Sequence, residues 1–164
     1  AVYNSQKEAD KTKEFRDLVS KYLTLKGHKH IKDDDEQTNR QIQNTIKPGS
    51  GSVLVDHHFN ASSNPKATGT EVIVSNNANA NSKALAKELA EGTACILGIP
   101  NRGVKTEKET ARGRIGILNL NAGIACLVEI AFLSNPNDMI KYELKKDELA
   151  RFYGDTYIKY DNLI

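Results

Sequence analysis

Residues 124–133 read Ile-Ala-Cys-Leu-Val-Glu-Ile-Ala-Phe-Leu, nine non-polar side chains with a single carboxylate, Glu129, set among them. A run of this length without polar alternation suits a strand covered on both faces, which belongs in a parallel or mixed sheet walled by helices. The carboxylate inside it is costly to bury unless a cation or hydrogen bonds offset the lost hydration. Glu129 therefore needs a partner: a metal or its bound water, or an arginine such as Arg102 or Arg114.

Around this strand, helix and strand signals alternate. Ser5-Gln6-Lys7-Glu8 has the form of a capping box, and Phe15, Leu18, Val19, Tyr22 and Leu23 follow at helical spacing up to Gly27. Residues 27–32 are expected as a short edge strand, 33–36 as an acidic loop, and 37–46 as a second helix ending at Pro48-Gly49-Ser50-Gly51. Strands are expected over 52–57 and 71–75, separated by a loop rich in Ser, Asn, Gly and Pro. Ser82 reads as the cap of a helix carrying Leu85, Leu89 and Ile96, closed by Gly98 and Pro100. A weaker strand is expected over 114–118. Asn135-Pro136 has the form of an N-cap followed by proline at the first helical position, and 147–158 reads as the last helix. The pattern predicts one α/β domain over residues 1–164, with a mostly parallel or mixed central sheet and helices on both faces.

Composition narrows the function. Lys and Arg total 23 against 21 Asp and Glu, a net charge of +2 from nearly balanced signs, so nothing demands a nucleic-acid partner. With no Trp, 6 Tyr and 4 Phe, stacking platforms are poorly supplied, which disfavours a module that only binds sugar. No stretch approaches the roughly 20 apolar residues of a membrane helix. Residues 1–8 are polar and show no signal peptide, which points to synthesis in the cytoplasm. Cys95 and Cys126, each among apolar neighbours, read as buried thiols without a disulfide.

In open α/β sheets the functional residues gather at the carboxyl ends of strands. Asp56-His57-His58-Phe59-Asn60 ends one strand and Glu129 lies near the end of another. Adjacent histidines on a strand point to opposite faces, so at most one of His57 and His58 serves a given metal; the other reading of His58 is a hydrogen-bonded strand-end histidine. Glu8 reads equally as the glutamate of the capping box. His28 and His30 flank Lys29 and read as solvated.

The run Cys126-Leu127-Val128-Glu129-Ile130-Ala131-Phe132-Leu133-Ser134-Asn135-Pro136-Asn137-Asp138 closely resembles the closing motif of the zinc-dependent type 3 N-acetylmuramoyl-L-alanine amidases. Four further pieces follow the order of that family: Gly27-His28, His58-Phe59-Asn60-Ala61, Gly69-Thr70-Glu71-Val72 and Asn101-Arg102-Gly103-Val104-Lys105. The resemblance implies a Zn2+ cofactor with Glu8 and His58 as ligands, Glu129 as the catalytic glutamate, and Asn60 and Arg102 as substrate contacts. It implies hydrolysis of the amide between N-acetylmuramic acid and L-alanine in peptidoglycan, by a phage endolysin or a bacterial wall enzyme acting on the cell wall. Two other readings remain: a non-catalytic wall-binding or phage structural relative, and a zinc peptidase acting on stem peptides. The family's first zinc histidine, on a turn after an opening strand, falls before residue 1, so two of three protein ligands are expected here. His57 stands where the family has a small or aliphatic residue, and would replace the missing ligand only if the strand bulged.

Overall fold

A computed structural model describes residues 1–33 and 35–164. The chain opens with a small antiparallel hairpin, Val2–Tyr3 (β1) against Gln6–Lys7 (β2). Asn4 and Ser5 between them have φ of 48° and 65°, the pair of left-handed residues that a tight two-residue hairpin turn requires. The expected capping box therefore does not form, because Ser5 is a turn residue. Lys7 is the N-cap and gives no side-chain cap, and Glu8 opens helix α1, Glu8–Leu25.

Residues 27–32 are not a strand. Two of their side chains go to α1 instead: the His30 ring lies 2.7 Å from the Ser20 hydroxyl and Lys32 lies 2.9 Å from Asp17. A short helix α2, Asn39–Thr45, has the capping box that the N-terminus lacks, between Thr38 and Gln41.

The central sheet is built from Val53–Asn60 (β3), Thr70–Val74 (β4), Asn101–Thr106 (β5) and Ile124–Phe132 (β6), in the order β3-β6-β4-β5. β3 runs parallel to β6, β4 antiparallel to β6, and β5 parallel to β4, so the sheet is mixed. Sequence patterning left β5 unassigned, since Asn101-Arg102-Gly103 offers no apolar alternation. The strand expected over 114–118 is instead a 3-10 turn, Gly116–Asn119. Buried Glu107 bends it by accepting the Ile115 N–H at 2.6 Å and the Asn119 side-chain amide at 2.8 Å.

Helix α3, Ala80–Leu97, is capped by Asn79 and not by Ser82; Ser82 donates its N–H to the Asn79 side chain and uses its hydroxyl to hold the Ala125 N–H. Helix α4 runs from Pro136 to Asp161, with Asn135 as N-cap and proline at the first position as expected; the helix expected over 147–158 is its second half.

Phe59, Val72, Val74, Ile124, Cys126, Val128 and Ile130 face the three long helices and pack on Phe15, Leu85, Leu89, Leu149 and Tyr153. The other face carries a smaller cluster, Ile73 and Leu127 under Leu118. α2 lies on that side: a Cβ at Gly116 would fall 2.2 Å from the Gln43 side-chain oxygen. Helices thus stand on both faces, long ones on one and a short one on the other. Cys126 is buried, whereas Cys95 is exposed; it falls on the face of α3 opposite Leu85, Leu89 and Thr93.

Candidate active site

The period of two along β3 sends His57 and His58 to opposite faces. His57 joins the helix side, its ring 5.1 Å from Phe15 and 5.8 Å from Tyr153 between centroids, with Nε2 2.6 Å from the Tyr157 hydroxyl. Loss of water around it pulls its pKa down to about 4. The register shift in β3 lies between His58 and Asn60 and does not redirect His57, which is no substitute ligand on the opposite face.

On that opposite face, His58 stands between two carboxylates. Its Nδ1 is 2.9 Å from Glu8 Oε1 and its Nε2 is 3.0 Å from Asp56 Oδ2. Burial disfavours the imidazolium, but the two carboxylates outweigh it and push the pKa up to about 10. Burial likewise works against ionised Glu8, and the hydrogen bond and charge of His58 oppose it, drawing the carboxyl below the ordinary range. Glu8 thus performs no capping; as the first residue of α1 it faces His58.

Strand pairing places Glu129 beside His58 on one side and beside Glu71 on the other. A row of three titratable groups therefore crosses β3, β6 and β4 on one face. Glu129 is buried, and burial raises its pKa; the Arg112 charge opposes this. The arginine that meets it is Arg112, with Nη2 2.6 Å from Oε1, and not the expected Arg102 or Arg114. Its other oxygen, Oε2, is buried without a hydrogen-bond partner among the described residues.

Glu71 collects the neighbouring polar groups. It accepts from Asn60 Nδ2 at 3.0 Å, Arg102 Nε at 3.3 Å and Lys105 Nζ at 2.6 Å, and the two cations hold its carboxyl below the ordinary range against the effect of burial. Asn60 and Arg102 therefore meet at the margin of the row through Glu71, with the Arg102 guanidinium 5.1 Å from the centre of the Phe132 ring. His28 and His30 lie elsewhere and are not free in solvent: His28 pairs with Asp161 at 3.1 Å and His30 bonds Ser20. Asp56, Glu71, Lys105 and Arg112 were not singled out by sequence reasoning. For Glu71 the signal was available in its odd-even phase with Ile73 on β4.

The donor types suit zinc, which takes imidazole nitrogen and carboxylate oxygen. Glu8 and His58 approach each other closely enough to be two of its ligands, with Asp56 on the second ring nitrogen as an orienting carboxylate. Among the described residues no group of three His, Cys, Asp or Glu side chains is placed to hold a metal ion, since Asp56 meets the opposite ring nitrogen of His58 from Glu8.

A family model described as N-acetylmuramoyl-L-alanine amidase matches residues 1–153. The chain belongs to that family. It is an amidase, an enzyme of peptidoglycan and the cell wall. A search of curated proteins finds no match.

Among solved structures, the amidase is similar to Cwp6 from Clostridium difficile, with a TM-score of 0.79 and 23% identity over 98% of this chain. It spans only 27% of Cwp6. It is also similar to Ami1, the N-acetylmuramyl-L-alanine amidase of Mycobacterium smegmatis, with a TM-score of 0.77 and 20% identity over 100% of this chain and 82% of that one. A third is the catalytic domain of the CD27L endolysin targeting Clostridium difficile, with a TM-score of 0.70 and 24% identity over 93% of this chain and 83% of that one. At these identities the likeness establishes the fold. Among the described residues no helix is long and apolar enough to cross a membrane.

Two hollows among the described residues lie away from Glu129. One of about 330 Å³ separates β1 and β2 from α4 beside Met139 and Leu144, and one of about 440 Å³ lies between α3 and β5 beside Lys83 and Val104. The row of Glu71, Glu129 and His58 sits on a shelf open at its margins, where Arg102 and Arg112 are part-exposed.

Proposed function

We propose that this chain is the catalytic domain of a zinc-dependent amidase that hydrolyses the amide joining the lactyl group of N-acetylmuramic acid to the L-alanine of the stem peptide. The observation that carries the reading is the buried, unpartnered Oε2 of Glu129 on the same face as the Glu8–His58 pair. An open shelf suits a polymeric substrate better than an enclosed pocket.

Glu8 and His58 would hold the zinc, and Asp56 would keep the imidazole oriented by accepting from Nε2. When bound, zinc acidifies water and polarises the scissile carbonyl. Glu129 Oε2 accepts a proton from the attacking water as its oxygen bonds to the carbonyl carbon. Glu129 then gives that proton to the departing nitrogen as the C–N bond breaks, releasing the lactyl carboxylate and the amino group of L-alanine. Asn60 and Arg102 line the path of the substrate at the margin, and the site of action is the bacterial cell wall.

The test is digestion of purified peptidoglycan, counting newly exposed L-alanine amino groups with chelator added and zinc then restored. Release that stops with chelator and returns with zinc is expected. Glu129→Gln is expected to keep fold and zinc uptake and to lose turnover by roughly 10²-fold or more. Full activity in that variant refutes the role of Glu129. A folded chain that takes up no zinc and releases nothing supports the wall-binding reading instead, and release of a different amino group supports the peptidase.

A further inference from the structure

We propose that Arg112 is the positioning residue of Glu129: it holds Oε1 and so leaves Oε2, on the face shared with Glu8 and His58, as the oxygen free to act as base. The inference rests on the amidase reading given above and adds to it a residue that does not itself touch the reacting bond.

Glu129 cannot be oriented by its own strand neighbours. Its backbone carbonyl is taken by the Thr70 hydroxyl at 2.9 Å, and its carboxylate lies between Glu71 and His58 in the register of the sheet. The cations nearby are committed elsewhere: Arg102 and Lys105 bond Glu71, and His58 bonds Glu8 and Asp56. Among the described residues this leaves the Arg112 guanidinium, whose 2.6 Å contact is a charge-assisted hydrogen bond to one oxygen alone. Holding one oxygen fixes the rotation of the carboxylate and leaves the second, buried and without a partner, as the free base.

Arg112 is itself held. The segment before it starts in a 3-10 turn, Glu107–Glu109, and buried Glu107 accepts from the backbone N–H of Asn76 at 3.1 Å, just beyond β4, and of Ile115 at 2.6 Å. The Asn76 side-chain oxygen in turn accepts from the Lys108 N–H at 3.1 Å. The Arg112 N–H donates to the Thr110 hydroxyl at 3.3 Å, and Gly113 at φ 63° turns the chain directly after it. The loop is thereby pinned on both sides of the arginine at the far end of β4, level with the start of β6, and from there the Arg112 side chain reaches back along the sheet to Glu129. The Arg112 side chain remains 43% exposed, so its removal opens no cavity in the core.

The test compares Arg112→Ala and Arg112→Lys in the zinc-supplied chain, reading kcat and KM on a soluble muramyl-peptide substrate together with zinc content and melting temperature. Displacing a reacting group by about 1 Å costs on the order of 10²-fold, so Arg112→Ala is expected to lower kcat by roughly 10- to 100-fold while KM changes less than about twofold. Arg112→Lys, which keeps a cation within reach, is expected to recover a large part of kcat, and added guanidinium a part of the alanine variant's loss. Unchanged kcat in Arg112→Ala overturns the proposal, and so does a loss carried mainly by KM, which would make Arg112 a substrate anchor.

A second measurement is independent of activity. The Arg112 side-chain Nη signals in the NMR spectrum are expected to be slowly exchanging in the parent chain and to collapse in Glu129→Gln. Their absence in the parent chain overturns the contact. A parent chain that shows the signals and turns over no substrate refutes the amidase reading while leaving Arg112 as the group that orients Glu129.

Discussion

Replacing His57 by Phe should flatten the acid side of the stability profile. A histidine among Phe15, Tyr153 and Tyr157, with its pKa down at about 4 from an ordinary 6.5, binds fewer protons in the folded chain than in the unfolded one. A depressed histidine pKa therefore contributes stability that is present above the unfolded value and is lost as pH falls from 6.5 towards 4. The full shift corresponds to about 3 kcal/mol at roughly 1.4 kcal/mol per pKa unit. This is an upper figure, because β3 is an edge strand and the residue keeps part of its surface, although the ring itself is enclosed. Between about pH 7.5 and about pH 5 the linkage amounts to about 2 kcal/mol. Urea unfolding across that range is the assay, with the metal-free parent chain and His57→Phe measured side by side. The variant loses the bond to the Tyr157 hydroxyl and should be less stable at pH 7.5, but its stability should fall less steeply on acidification. Parallel profiles for the two chains would refute the idea that His57 is held neutral by its surroundings.

Two further outcomes follow from buried groups. Asp138 is buried at the first turn of α4 and accepts from the Gly69 and Phe132 N–H groups at 3.0 and 3.1 Å, as well as from the Thr68 hydroxyl. Asp138→Ala would leave two backbone donors without partners and should cost about 3 kcal/mol in urea unfolding; a loss below about 1 kcal/mol would show that water replaces the carboxylate. With an aromatic disulfide reagent, the native chain should titrate one thiol, exposed Cys95, and the denatured chain both; burial keeps Cys126 protonated and shielded.

Sequence reasoning reached β6 and the start of α4 because their signals are local and strong: nine apolar residues in a stretch of ten broken only by Glu129, then Asn-Pro at a helix start. It placed Glu8, His58, Asn60, Arg102 and Glu129 through a family resemblance, and the structure brings these around one face of the sheet. It misread Ser5 because a capping box and a tight hairpin draw on the same small polar residues, and only the backbone sign at Asn4 and Ser5 separates them. It placed Cys95 inside because apolar neighbours in sequence do not share a face on a helix. Arg112 was out of reach for another reason. Its contact depends on where Glu107 pins a loop, and no periodicity encodes which of Arg102, Arg112 and Arg114 arrives at Glu129.

β6 alternates between two duties, with Val128 and Ile130 in the helix-side core and Leu127 and Glu129 on the opposite face. A slip of one residue exchanges the two sets, driving a carboxylate into the aromatic core and a valine onto the shelf. Change along this strand is therefore tolerated by replacement and not by insertion or deletion. Length variation among relatives should accumulate in the segment between β5 and β6, where the Arg112 loop lies, and stop at Ile124. That loop is the part of the molecule in which a lineage is free to alter how it grips Glu129 without disturbing where Glu129 stands.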